Sequence, residues 1–141
     1  MSEGTGDNLL SLSISTLAYM GDAVYEVAVR ERLLKAHMDF NSRSLYIEAL
    51  HYVSAESQAY ALKEIYCLLS EEEQSLCRRA RNHTPKSRPR HASPLGYRQA
   101  TALEALIGWH YLRADQERLH TILAAVFAAL EKEKVEGSED V

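Results

Sequence analysis

Two acidic residues of this chain stand where an acid is costly. The run Leu17-Ala18-Tyr19-Met20-Gly21-Asp22-Ala23-Val24-Tyr25-Glu26 reads as helix on both sides, yet sets a glycine directly before an acid on an apolar surface. Glycine inside a helix costs about 1 kcal/mol relative to alanine, and an acid on a packing face costs more unless something neutralises it. Leu103-Glu104-Ala105-Leu106-Ile107-Gly108 repeats the pattern, an acid on an apolar helix with a glycine within a turn. Glycine lacks a side chain and lets a second helix approach closely, so helices crossing near Gly21 and Gly108 would bring Asp22 and Glu104 together. Adjacent carboxylates repel, and a divalent cation resolves the repulsion. Hard oxygen ligands select Mg²⁺ or Mn²⁺, with water and a substrate phosphate completing the shell. Such an ion generates a hydroxide nucleophile and stabilises a phosphoryl-transfer transition state. On spacing alone, an arginine partner for each acid accounts for the same two positions.

The elements that must position this pair are helices. Apolar residues Leu17, Met20, Val24, Val27 and Leu34 recur at steps of three, four and seven, which predicts a helix from about Ser15 to Lys35 with that face inward. A second helix is expected from Ser42, as its N-cap, to His51. Ser54 opens a third, with Ala55, Ala59, Leu62 and Ile65 toward the core. Ser70-Glu71-Glu72-Glu73 is a capping box that starts a fourth helix reaching about Arg81. Prolines and polar residues predict an exposed loop from Asn82 to Gly96. A fifth helix follows from Tyr97 to Leu112, and Asp115 caps a sixth through Leu119, Ile122, Leu123, Val126 and Leu130. No strand or internal repeat is legible, and the expectation is an all-α helical bundle. With 141 residues, 46% hydrophobic and 26% charged, one domain spanning residues 1–141 is expected, with flexible tails at about 1–10 and 131–141.

Cys67 and Cys77 lack a zinc or C-x-x-C spacing, which suits a reduced, cytoplasmic protein with two buried thiols. Neither a signal peptide nor a membrane span is expected from the sequence. The net charge of −4 argues against nucleic acid, but its distribution argues for it. No acid lies between Gln74 and Leu103, whereas Arg78, Arg79, Arg81, Lys86, Arg88, Arg90 and Arg98 all do, with all three prolines among them. A concentrated basic segment presents a local positive potential whatever the total charge. Read as function, these residues and Asn82 contact nucleic-acid phosphates, which give affinity without sequence information. Read without function, the arginines complement a helix dipole and solvate a loop.

Several of these blocks resemble one family. Leu17 to Val24 resembles the signature helix of the ribonuclease III superfamily, and Glu104-Ala105-Leu106-Ile107-Gly108 its second catalytic helix. Ala23-Val24-Tyr25-Glu26, Tyr52-Val53-Ser54-Ala55, Arg78-Arg79-Ala80-Arg81-Asn82 and Tyr97-Arg98-Gln99-Ala100-Thr101 resemble, in order, further blocks of its Mini-ribonuclease III branch, which carries the catalytic domain without a double-stranded-RNA-binding domain. The resemblance covers about residues 15 to 125. It implies an all-α homodimer of the ribonuclease III endonuclease type that cuts double-stranded RNA with Mg²⁺ and leaves 5′-phosphate ends. It further implies that Asp22 and Glu104 are the catalytic metal ligands, and that the substrate is the precursor of large-subunit ribosomal RNA. A non-catalytic RNA-binding or ribosome-associated protein on the same fold is the competing expectation.

The chain also departs from the wider superfamily. Ser15, Ala18 and Thr101 occupy positions where full-length ribonuclease III has further acids, which leaves open whether one metal or two is held. Glu26, one turn after Asp22, is a candidate helper, and Glu48 and Glu64 are unassigned. The six histidines form no metal spacing and are expected mostly at the surface, with His83 and His91 as candidates to touch phosphate. Trp109 is expected to pack at a helix contact or the dimer seam.

Overall fold

The computed structural model describes residues 11–83 and 94–139. Among them run α1 (Ile14–Ala36), α2 (Ser42–Val53), α3 (Ala55–Ile65), a 3-10 turn (Tyr66–Leu68), α4 (Glu71–Asn82), α5 (Pro94–Leu112) and α6 (Gln116–Glu139), and no strand. The all-α expectation holds. Lys86, Arg88, Arg90 and His91, with the first ten residues, lie outside the described residues.

The most buried element is α5. Its residues Ala102, Leu103, Ala105, Leu106 and Ile107 are fully enclosed, and α1, α4 and α3 pack around it. The inward face of α1 is Ile14, Leu17, Ala18, Gly21, Tyr25, Val29 and Leu33. The sequence-based face was rotated from this one, because Val27 and Leu34 are exposed. Tyr25 explains the shift: its ring stacks on Phe127 and its hydroxyl donates to the Tyr52 carbonyl at 2.8 Å. A tyrosine whose hydroxyl finds a buried partner goes inward ahead of an unattached valine.

Most helix starts follow their caps. The Ser54 and Ser70 hydroxyls accept from the backbone of Ser57 and Glu73, each at 3.1 Å, and Asp115 accepts from the Arg118 backbone at 3.1 Å. The second helix is capped one residue earlier than expected, by Asn41, whose side-chain oxygen accepts from the Ser44 backbone at 2.8 Å. The fifth helix starts at Pro94 rather than Tyr97; proline suits a first turn, where its missing N–H would have had no helical partner. The segment from Glu131, expected to fray, is helical to Glu139. Glu131 itself is tied down by Arg32 at 2.7 Å and by the Tyr52 hydroxyl at 2.9 Å.

Glu73 does more than close its capping box. It accepts from Arg118 at 2.6 and 2.8 Å and sits 2.7 Å from His110 Nε2, joining α4, α5 and α6 at one buried carboxylate. His110 is only 2% exposed, an exception among histidines expected mostly at the surface. Cys67 is exposed, which corrects the expectation of a buried thiol, whereas Cys77 is buried as expected. No helix among the described residues is long and apolar enough to cross a membrane.

Candidate active site

The crossing of α1 and α5 is as close as two backbones allow. A Cβ on Gly21 would overlap the Glu104 carbonyl oxygen and stand 2.6 Å from its carbon and 2.9 Å from the Gly108 nitrogen. A Cβ on Gly108 would overlap the Leu17 carbonyl oxygen and lie 2.9 Å from the Gly21 nitrogen. Both glycines are therefore required by packing, each receiving the other helix's backbone. The residues beside them, Asp22 and Glu104, are carried to the same spot, as the glycine pattern predicts.

Asp22 is exposed and Glu104 half-buried, and both line a cleft of about 450 Å³ between α1, α4 and α5. The Glu104 carboxyl is pushed up to about 9, mainly by burial and then by the hydrogen-bonded, like-charged Asp22 carboxyl. Gln58 opposes the shift by hydrogen bonding, and Glu26 adds a smaller upward push. With no cation bound, Glu104 keeps its proton at neutral pH. Two carboxyl groups side by side on one cleft are hard oxygen donors of the kind a divalent cation takes, and the residues present fit one. Among the described residues no three His, Cys, Asp or Glu side chains gather as a metal-binding group, so the carboxylate pair is the whole acidic set at this point.

The cleft wall sorts the other sequence-based candidates. Arg98 lines it, and so does His83, whose Nε2 lies 3.3 Å from the Ser15 hydroxyl. Ser15, Ala18 and Thr101 line it too, so the positions lacking the superfamily's extra acids do face the site. Arg78 and Asn82 are exposed outside the cleft lining. Arg79 donates to the Leu12 carbonyl at 3.3 Å, and the Arg81 guanidinium lies 5.5 Å from the centre of the Tyr66 ring. Glu26 pairs with Arg30 at 3.4 Å and lines a separate groove, and Glu48 pairs with Lys134.

Gln58 was missed from sequence. It is 4% exposed, its Nε2 donates to the Val53 carbonyl at 3.0 Å, and its Oε1 has no partner. A buried acceptor left unpaired costs about 1–3 kcal/mol. The signal was present: Gln58, Ala61, Leu62 and Ile65 fall at i, i+3, i+4 and i+7, a better helical face than the one read from Ala55 and Ala59. Tyr19 and Tyr97, which line the cleft, were also unassigned.

Comparison with known proteins places this geometry. A ribonuclease III domain model matches residues 15–115. The chain is 40% identical over 128 residues to a Mini-ribonuclease 3 of Thermoanaerobacter, covering 91% of this chain and 89% of that protein. It is 42% identical to a Mini-ribonuclease 3 of Symbiobacterium thermophilum, covering 89% and 95%. A crystal structure of a protein from Fusobacterium nucleatum superposes with a TM-score of 0.76 at 33% identity, over 84% of this chain and 93% of that one. The chain thus belongs to the ribonuclease III family of endoribonucleases, in its Mini-ribonuclease III branch.

Proposed function

We propose that the chain is a Mg²⁺-dependent endonuclease of double-stranded RNA that matures the ends of large-subunit ribosomal RNA precursor, working in the cytoplasm as a homodimer of single-domain subunits. The observation that carries this reading is the meeting of Asp22 and Glu104 at the floor of one cleft. In this reading Asp22 and Glu104 hold Mg²⁺, with Mn²⁺ able to replace it. When bound, the cation activates water and offsets the charge that develops on a phosphodiester.

The chain's own residues do the rest. The glycine crossing fixes the two carboxyls on rigid helices, so their spacing does not depend on a loop. Arg98 supplies positive charge on the cleft wall, where it meets a phosphate oxygen, and His83 stands beside it. Arg78, Arg79, Arg81, Asn82, Lys86, Arg88 and Arg90 belong to the wider duplex footprint, contacting phosphates away from the cut. Homodimer formation is supported by an exposed apolar patch at α1 and α2, including Val27, Leu34, Tyr46, Ile47 and Leu50.

The test has two arms. Purified protein is incubated with duplex RNA in Mg²⁺ and in chelator, and ribosomal RNA ends are mapped in cells lacking it. Metal-dependent cutting together with unprocessed large-subunit ends is expected. Retention of RNA without cutting in Mg²⁺ refutes the nuclease reading; normal ends in the deficient cells refute the ribosomal substrate.

A further inference from the structure

Gln58 is an unfavourable choice for the place it occupies. It lies in the core on α3, which packs against α5, where an apolar side chain of the same length would carry no oxygen to leave unpaired. The Val53 carbonyl, at the end of α2, fixes which way the amide faces. Its Nε2 donates there at 3.0 Å, and the reversed amide would set oxygen against oxygen. The amide nitrogen carries a second hydrogen, and Gln58 lies close enough to Glu104 to draw its carboxyl down against the upward push of burial. Gln58 thus offers that carboxyl a donor, the polarity an ionised carboxylate needs, and leaves its own Oε1 without a partner.

We infer that Gln58 is a positioning residue for the nuclease site: its amide holds one oxygen of Glu104 from the core side, so that the other faces Asp22 and the cleft as a metal ligand. The inference rests on the reading of Asp22 and Glu104 as metal ligands. A carboxylate free to rotate at this spot would lose ligand geometry without any loss of fold. Groups that orient a metal ligand from behind typically govern roughly 10- to 100-fold in metal affinity. A residue kept for packing alone would be expected to lack the orphaned oxygen.

The experiment compares the full chain with Gln58→Met, which keeps length and loses the donor, and with Gln58→Leu as a second variant should the first fold poorly. Mn²⁺ binding is measured by calorimetry without RNA, together with Tm in chelator, duplex affinity in chelator, and the Mg²⁺ concentration that gives half-maximal cleavage. The expected result is a Mn²⁺ Kd and a half-saturating Mg²⁺ concentration raised about 10-fold, with duplex affinity unchanged, Tm lowered by no more than the lost Val53 hydrogen bond accounts for, and cleavage restored by excess Mg²⁺. Unchanged Mn²⁺ binding overturns the inference. So does a fall in Tm with a loss of cleavage that excess Mg²⁺ does not restore, the signature of a merely structural role. Asp22→Asn run alongside separates the two claims. If it binds Mn²⁺ as the unmodified chain does, the metal-site reading fails and takes this inference with it. If it loses Mn²⁺ while Gln58→Met keeps it, only the inference fails.

Discussion

Asp22 and Glu104 do not share their surroundings equally, and the difference has consequences. Asp22 is exposed in the cleft, while Glu104 is half-buried with its carboxyl pushed up to about 9 from 4.5. A folded value above the unfolded one stabilises the fold below about pH 4.5, and that contribution is lost progressively as pH rises toward 9. The Tm of the metal-free protein therefore carries a downward component over that range, and Mg²⁺ raises Tm more at pH 8.5 than at pH 6, to within about one pH unit. Glu104→Gln removes the ionisation. It should raise the metal-free Tm at pH 8, abolish the Mg²⁺-dependent rise and abolish cleavage; a lower Tm with the Mg²⁺ response intact would contradict this account. The two acids were legible because each violates the apolar pattern of its helix beside a glycine. Gln58 was legible only as a buried position, through the face it shares with Ala61, Leu62 and Ile65; that it meets Glu104 was not, because that depends on how two helices pack.

Helices deliver this site through one crossing. Gly21→Ala forces a methyl into the Glu104 carbonyl. Overpacking of this kind typically costs about 1–3 kcal/mol, and backbone against backbone leaves no flexible side chain to move. Denaturant unfolding should show a loss at or above that range, and Gly108→Ala a similar one; a neutral result at either would show that α1 and α5 separate freely. The Glu73 junction makes a second prediction. Burial pushes the Glu73 carboxyl up, but the Arg118, Ser70 and His110 hydrogen bonds outweigh it and hold it at about 2 against 4.5. Burial also lowers His110 below 6.5 despite Glu73, so a neutral imidazole donates to the carboxylate. Both folded values are depressed, so both contributions are present at neutral pH and lost on acidification, first below 6.5 and then between 4.5 and 2. Glu73→Gln removes the charge that Arg118 pairs with while leaving it the Leu68 carbonyl, should cost about 1–3 kcal/mol, and should flatten the acid limb of a Tm–pH profile. The capping box was legible from Ser70 and Glu73 alone. The junction was not, since His110 and Arg118 meet Glu73 only through tertiary packing. The face of α1 was misjudged for the related reason that Tyr25 is anchored by Tyr52 and Phe127, residues remote in sequence.

The whole molecule is an acidic helical body with its catalytic candidates on one cleft and an apolar groove on another. That groove, about 310 Å³ between α1 and α2, is lined by Leu33, Leu34, Leu45, Tyr46, Leu50 and Val53. In the proposed homodimer it is covered, so Leu34→Glu should shift light-scattering mass from dimer to monomer, and an unchanged mass would move the interface elsewhere. All-α architecture and the order of the helices were readable from periodicity and caps. Which exposed apolar residues face a partner was not, because a free surface and an interface carry the same residues. The central claim is that one acid pair makes this chain a metal-dependent nuclease. Asp22→Asn keeps the volume of the side chain and removes its charge, so its rate of duplex RNA cleavage in Mg²⁺ is the most direct measurement. The account predicts a loss of at least about 100-fold, with helix content and Tm retained. Cleavage at the unmodified rate would contradict it.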